Sequence, residues 1–451
     1  MEWKKLLSSK RLGKEAKPSE DEAGPRSEFT RDYDRIIFSA PFRRLQDKTQ
    51  VFPLAKSDYV RTRLTHSLEV ASVGRSLGVL AAAEILKQDS SLEGIVVPHE
   101  VGTIVATACL AHDIGNPPFG HAGESAIQEW FSDSDEGARL RKDWGLTPEQ
   151  EADLLKFEGN AQGFRILTAL QNMNQRGGLQ LTTAVLATFT KYPRASVVDC
   201  AQSNGISGKK FGFMQTEQEL FEELSDAVGL IRKPGNGLAW HRHPLAFLVE
   251  AADDICYHVM DVEDGFRAGA MAFEELHALH EPWLDEKSRR KAEQIGDHHR
   301  QAEYFRAGTI NAVIHRVIEV FGQKLNGLMD GSFDGELVAE MDGGDQFGQF
   351  KKLAKKKVYS GKPVIEIEAC GFDVIGGLLS AFVSAIENVA SQGGKPSNKA
   401  RTVLGLMPGG DANLHEMSPY NRVIKATDFV SGMTDTYAVQ LYQRIRGISL
   451  P

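Results

Sequence analysis

A histidine and an aspartate stand side by side at His112-Asp113, in the run Cys109-Leu110-Ala111-His112-Asp113-Ile114-Gly115-Asn116-Pro117-Pro118. An imidazole beside a carboxylate suits a divalent ion of intermediate hardness. The residues before them (Val101, Ile104, Val105, Ala108) repeat at helical spacing, and Gly115 with Pro117 is expected to stop that helix. Adjacent helical side chains point about 100° apart, so both reach one ion only if it sits beside the last turn. Two ligands are too few for a catalytic ion, and the rest of the chain must supply more.

Upstream, His66 lies between Leu64 and Leu68 on an amphipathic helical pattern, and downstream the run Glu250 to Tyr257 (EAADDICY) embeds acids in an apolar helix. A charge in such a helix is costly unless paired or coordinated. The order His, His-Asp, Asp resembles the ligand set of the HD-domain phosphohydrolases. The likeness narrows over Arg31 to Ser39, Phe42 to Pro53, His112 to His121 (HDIGNPPFGH), Phe157 to Gln162, Glu250 to Tyr257 and Asp428 to Asp435. These six blocks, in order from about residue 28 to about 440, resemble the deoxyguanosine triphosphate triphosphohydrolase family.

The resemblance implies a metal set of His66, His112, Asp113 and Asp253. Two imidazoles and two carboxylates leave octahedral positions free, which fits Mg²⁺, Mn²⁺, Fe²⁺ or Co²⁺ better than closed tetrahedral zinc. Asp254 is the alternative to Asp253, and an Asp-x-x-x-Tyr spacing to Tyr257 favours Asp253. His121 and Glu124, three apart, share a helix face. Cleavage between the α-phosphorus and the 5′ oxygen expels an alkoxide that needs a proton, and an acid-poised His is its natural donor. The family likeness gives His121 that task and Glu124 the task of orienting it. It also implies Arg63 at the α-phosphate, the pair Lys191 and Tyr192 at phosphates, Tyr257 and Asp261 at the deoxyribose, and Asn160, Gln50 and Val51 near the sugar. Related enzymes can carry a further His where this chain has Asn116.

The expected activity is hydrolysis of a dNTP to deoxynucleoside and triphosphate. The alternatives are an HD phosphohydrolase of another nucleotide, or a non-catalytic nucleotide sensor. The first lacks the Arg31–Pro53 and Asp428–Asp435 blocks, and the second has no use for a proton donor. Expected partners are a dNTP, further copies of the chain in a homo-oligomer such as a hexamer, and a nucleotide or single-stranded DNA effector.

The elements that must position these groups are helical. Segments at a 3.6-residue period are Ser67–Leu86, Val101–Ile114, Gly163–Leu170, Glu217–Ile231, Pro244–Val262, Ala307–Met329 and Val374–Ala390, while Gly178–Thr182 alternates like a short strand. Tyr192–Gly212 and Met341–Gly348 suit loops. The reading is an all-α chain: an N-terminal arm (1–30), mobile or ordered by a partner from residue 8, an HD-type helical core (31–270), and C-terminal helices packed on it (271–451). At 451 residues the chain can bury a large core, and its formal charge of −9 argues against a generally basic nucleic-acid binder. Cys109, Cys200, Cys256 and Cys370 have no CxxC spacing, Cys109 and Cys256 sit in apolar helical runs, and they read as buried free thiols of a reduced cytoplasm. The N-terminus is too poor in apolar residues for a signal peptide, and no stretch is expected to reach membrane-spanning length. His298-His299 and the run Lys351–Lys357 read as solvated faces, the latter able also to reach a neighbouring subunit or an anionic effector.

Val51→Ala is expected to relax discrimination against ribonucleotides, because space opens where a 2′ hydroxyl would fit. The ratio of kcat/KM for dGTP and GTP should change by roughly 10- to 200-fold. An unchanged ratio removes Val51 from the sugar pocket.

Overall fold

The apolar periodicity becomes helix along most of the chain. The computed structural model describes residues 1–14, 26–50, 61–393, 395–410 and 413–448. Val51 and residues 15–25 of the expected arm lie outside them. The principal helices are α1 (Trp3–Leu6), α2 (Glu28–Ile37), α3 (Arg63–Gln88), α4 (Pro98–Ala111), α5 (His121–Ser132), α6 (Gly159–Arg165) and α7 (Thr183–Phe189). They continue as α8 (Ala246–Arg267), α9 (His298–Asp330), α10 (Gly344–Ala354), α11 (Lys362–Ser391), α12 (Pro419–Ser431) and α13 (Asp435–Ile445). The described residues contain no strand, so the all-α class holds.

At the centre, α3 and α4 pack along their lengths. They approach so closely that a Cβ on Gly78 would lie 2.8 Å from the Gly102 Cα. Thr62 starts α3 with a reciprocal cap: its hydroxyl accepts the Thr65 N–H while Thr65 accepts the Thr62 N–H. Helix α8 lies against both and is backed by α9 and α10, which carries its embedded acids into the middle of the fold. A second apolar cluster joins α5 to α11, α12 and α13 through Ile127, Phe131, Leu378, Phe382 and Val430. The helix that starts at His121 therefore belongs to the second cluster.

Several expectations are corrected. Gly178–Thr182 forms no strand; Thr182 makes one isolated bridge, to Arg11, and caps α7. The expected loop at Met341–Gly348 becomes helix from Gly344, because Phe347 and Phe350, three apart, both bury completely. Helix α4 ends at Ala111, with His112 as its C-terminal cap. One helix, Val364–Ser391, is long and apolar enough by composition to cross a membrane, contrary to the expectation that none is. Its apolar residues, among them Val374, Ile375, Leu378, Leu379, Phe382 and Ile386, are the core of the second cluster. His298 and His299 are exposed, as expected of a solvated face, and the His298 ring also stacks on Phe273 at 3.8 Å.

Residues 1–14, expected as part of an arm, are packed into the molecule, with Trp3, Leu6 and Leu12 buried. The Leu12 N–H donates to the Leu181 carbonyl and the Thr183 N–H to the Lys10 carbonyl. Buried Asp32 on α2 accepts from Arg11 Nη1 at 2.6 Å and from the Thr182 N–H at 2.7 Å. This joint fixes the start of α7, and the chain leaving α7 carries Lys191 and Tyr192. Asp32→Ala leaves the Arg11 guanidinium with Glu28 and the Gln180 carbonyl but removes the buried acceptor of the Thr182 N–H, and leaving such a buried donor unsatisfied costs about 1–3 kcal/mol. A marked fall in melting temperature is expected, and a variant that melts with the wild type would deny the joint any structural role.

Candidate functional site

His112 caps α4 with its ring turned so that Nδ1 lies 2.7 Å from the Cys109 carbonyl. A carbonyl only accepts, so Nδ1 carries the proton and Nε2 presents its lone pair. That Nε2 is buried with no hydrogen-bond partner. It faces Asp253 Oδ1 at 3.4 Å and Asp113 Oδ1 at 3.5 Å. His66, on the first turn of α3, brings its Nε2 to 3.2 Å from the same Asp253 oxygen. One ligand atom from each of His66, His112 and Asp253 lies within 4.8 Å of the others, so these three could hold a metal ion.

The charges around this cluster are sorted by burial and pairing. Burial alone would raise the Asp253 carboxyl, but the Lys191 ammonium, 2.6 Å from Oδ2, and the two imidazoles outweigh it and hold the group well below the usual range. Asp254, the sequence alternative, belongs to no such cluster, and burial together with the charges of Glu250 and Asp253 pushes it up to about 8. Burial likewise opposes ionisation of Asp113, yet Arg63 prevails and lowers its carboxyl far below normal. Asp113 Oδ2 accepts from Arg63 Nη1 and Oδ1 from Asn116 Nδ2, both at 2.6 Å. For His112, burial lowers the proton affinity and the two carboxylates more than restore it. An orphaned imidazole nitrogen in a field that attracts positive charge fits a divalent cation.

Arg63 links this cluster to the expected proton group. Its Nη1 is on Asp113, and a Cβ on Gly120 would lie 2.6 Å from its Nη2. His121 follows Gly120 and opens α5 with its side chain largely exposed, while Nδ1 lies 3.1 Å from Glu124 Oε2. Glu124 is buried and also accepts the Gly159 N–H at 2.8 Å. Burial opposes its ionisation, but His121 and Lys210 outweigh that and keep its carboxyl lowered. An ionised Glu124 only accepts, so His121 Nδ1 donates to it and Nε2 is left for substrate.

Around these two groups stand the remaining expected residues. Tyr192 is half-buried beside Lys191. Asn160 Nδ2 donates to Glu158 Oε1 at 2.7 Å. Gln50 places a buried Oε1 without a partner. Tyr257 and Asp261 sit one turn apart on α8, where burial pushes the Asp261 carboxyl up to about 8. Two contributors were not foreseen. Lys210 bridges Glu158 at 3.0 Å and Glu124 at 3.7 Å from a segment read only as a loop. Tyr359 stacks its ring on Tyr257 at 5.9 Å and donates its hydroxyl to Asp261. The lysine run just before Tyr359 was legible, but the π-helical turn at Lys355–Tyr359 that aims this ring inward has no sequence signature. A cavity of about 960 Å³ bordered by Lys48, Ile114, Met173 and Tyr437 contains none of the expected site residues.

Comparison with known proteins supplies a consistent pattern. The HD domain family model matches residues 63–158, which include His66, His112, Asp113, His121 and Glu124. A deoxyguanosinetriphosphate triphosphohydrolase-like protein of Synechocystis is 42% identical over the full length of both chains. Proteins of the same description from Pseudomonas aeruginosa and Listeria monocytogenes are 39% and 34% identical, again over the whole of each chain.

His112→Ala removes the orphaned Nε2 from the centre of the cluster. The purified variant is expected to lose stoichiometric Mn²⁺ or Co²⁺ by elemental analysis while staying folded. Retention of a full equivalent would show that the ion is held elsewhere.

Proposed function

The chain belongs to the deoxyguanosinetriphosphate triphosphohydrolase-like family of HD-domain phosphohydrolases, and on that premise we propose that it cleaves dNTPs to deoxynucleoside and inorganic triphosphate. The observation that carries this reading is the arrangement at Arg63. One guanidinium has Asp113 at one nitrogen and, at the other, fills the space beside Gly120, the residue before His121. The acid-paired imidazole of His121 thus begins one residue from a guanidinium bound to Asp113, the neighbour of the ligand candidate His112. A site of that composition serves hydrolysis of a phosphate ester whose leaving oxygen needs a proton.

His66, His112 and Asp253, with Asp113 beside them, would hold Mg²⁺, Mn²⁺, Fe²⁺ or Co²⁺. When bound, such an ion supplies Lewis-acid polarisation of the α-phosphate and makes water a better nucleophile at neutral pH. Arg63, Lys191 and Lys210 supply fixed positive charge against the phosphates, where pre-arranged cations stabilise charge that grows in the transition state. Water oxygen bonds to the α-phosphorus and releases its proton to solvent, the bond from phosphorus to the 5′ oxygen breaks, and the departing oxygen takes a proton from His121 Nε2. Glu124, buried and ionised, holds His121 Nδ1–H and stabilises the charged imidazolium before that transfer. Tyr257, Tyr359 and Asp261 form the wall against the sugar. The direct test is ion chromatography of the products from each of the four dNTPs and from GTP, with Mn²⁺ and with Mg²⁺. Inorganic triphosphate is expected as the phosphorus product, and release of orthophosphate or pyrophosphate would refute the reading.

His121→Ala should separate chemistry from binding. Metal content should stay intact, with turnover falling by about 10²–10⁴-fold, the usual worth of one positioned proton donor. Glu124→Ala should act in the same direction. The double variant should lose far less than the two single losses combined, because the pair works as a unit. Additive losses, or wild-type turnover in His121→Ala, would place the proton source elsewhere.

A further inference from the structure

The last helix begins on residues that reach back to the site. Asp435 is almost completely buried at the first position of α13. Its Oδ1 accepts the Phe119 N–H at 3.0 Å, and its Oδ2 accepts the Thr49 N–H at 2.9 Å. The next residue, Thr436, donates its hydroxyl to Asp47 at 2.8 Å. Lys48, buried between the two segments, donates to the carbonyls of Asn116 and Ser431. The Arg63 N–H donates to the Lys48 carbonyl, and Thr49 pairs with Thr62, so the same residues also brace the start of α3.

Phe119 shows why such a clasp is needed. Its φ is +64°, followed by Gly120 at +58°. A bulky side chain rests in that region only when its surroundings hold it there. The Phe119 ring lies against Gly371 of α11, where an added Cβ would sit 3.1 Å from it. The backbone N–H is held by Asp435. Were Phe119 to relax to negative φ, the chain after it would turn away and carry Gly120 off the Arg63 guanidinium and His121 with it.

We propose that Asp435 is a positioning residue: by accepting the N–H groups of Phe119 and Thr49, it sets the turn that presents His121 and fixes that turn relative to residues 47–50. The functional part of this inference rests on the role given to His121 above. The structural part does not, which keeps the two separable.

The test uses the full chain with Asp435→Ala, Asp435→Asn and, as control, Arg422→Ala. Arg422 pairs with Glu387 in the same C-terminal cluster at 2.9 Å and touches none of these groups. Hydrogen exchange is read on peptides covering residues 47–50 and 117–121, alongside metal content, melting temperature, kcat and KM. Asp435→Ala should speed exchange in both peptides and lower kcat by about 10²-fold, the scale of a small misplacement of a reacting group, with metal content and KM for dGTP little changed. Arg422→Ala should lower the melting temperature without changing kcat or exchange in either peptide. Should Asp435→Ala fail to fold, Asp435→Asn still decides. It keeps the size and one acceptor oxygen, but its amide NH₂ cannot accept, so at least one peptide must lose protection. Unchanged exchange in both peptides of a folded variant overturns the proposal, as does a kcat loss in Arg422→Ala equal to that in Asp435→Ala. If the wild-type enzyme makes no triphosphate, the functional reading falls while the exchange result still tests the clasp.

Discussion

The site depends on one carboxylate with two opposite obligations. Asp253 turns one oxygen to the imidazoles of His66 and His112 and the other to the ammonium of Lys191. Taking these charges from water costs several kcal/mol each, and only close mutual pairing offsets that. The four residues come from α3, the end of α4, α8 and the segment after α7. The pairing is thus possible only when the centre of the fold is assembled. Close contact of α3 with α4 at Gly78 and Gly102 sets the separation of the two histidines, and α8 pressed against both delivers the aspartate. A divalent ion bound by the imidazoles and carboxylates would replace several weak compensations by one strong one.

The second apolar cluster contributes no ligand to this centre. Its part is to hold in place the loop from Asp113 to His121. Asp428 binds Arg165 and Gln162, which ties α12 to α6. Asp435 binds the backbone on both sides of the site. A loop that bends through a left-handed Phe-Gly pair needs an outside support, and the C-terminal helices are that support. Distant residues then govern the angle of His121 without touching a substrate.

Much of the centre was legible in the sequence for a simple reason. His66 and Asp253 are polar residues on helices whose periodicity is otherwise apolar, and His112-Asp113 ends a helix. Such misfits stand out in a one-dimensional pattern. Tyr359 does not, because its partner lies 98 residues away; Asp435 closes the Asp428–Asp435 block, but its task is hidden there because its partner Phe119 lies 316 residues away. Asp435 also binds backbone N–H groups, which any residue supplies, so no pairing of side-chain types betrays it. Helix α11 misled in the other direction. Its Gly, Ser and Ala positions soften the apolar run to the eye, whereas averaged over a window the run matches a membrane span. The packed N-terminal residues were missed because Trp3, Leu6 and Leu12 bury into grooves made by helices far along the chain.

The most direct measurement is hydrolysis of dGTP in water enriched in oxygen-18, followed by mass spectrometry of both products. Attack at the α-phosphorus with proton delivery to the 5′ oxygen requires one heavy oxygen in the triphosphate and none in the deoxyguanosine. Label in the nucleoside's 5′ hydroxyl would mean that the carbon–oxygen bond had broken instead, and His121 would have no alkoxide to protonate.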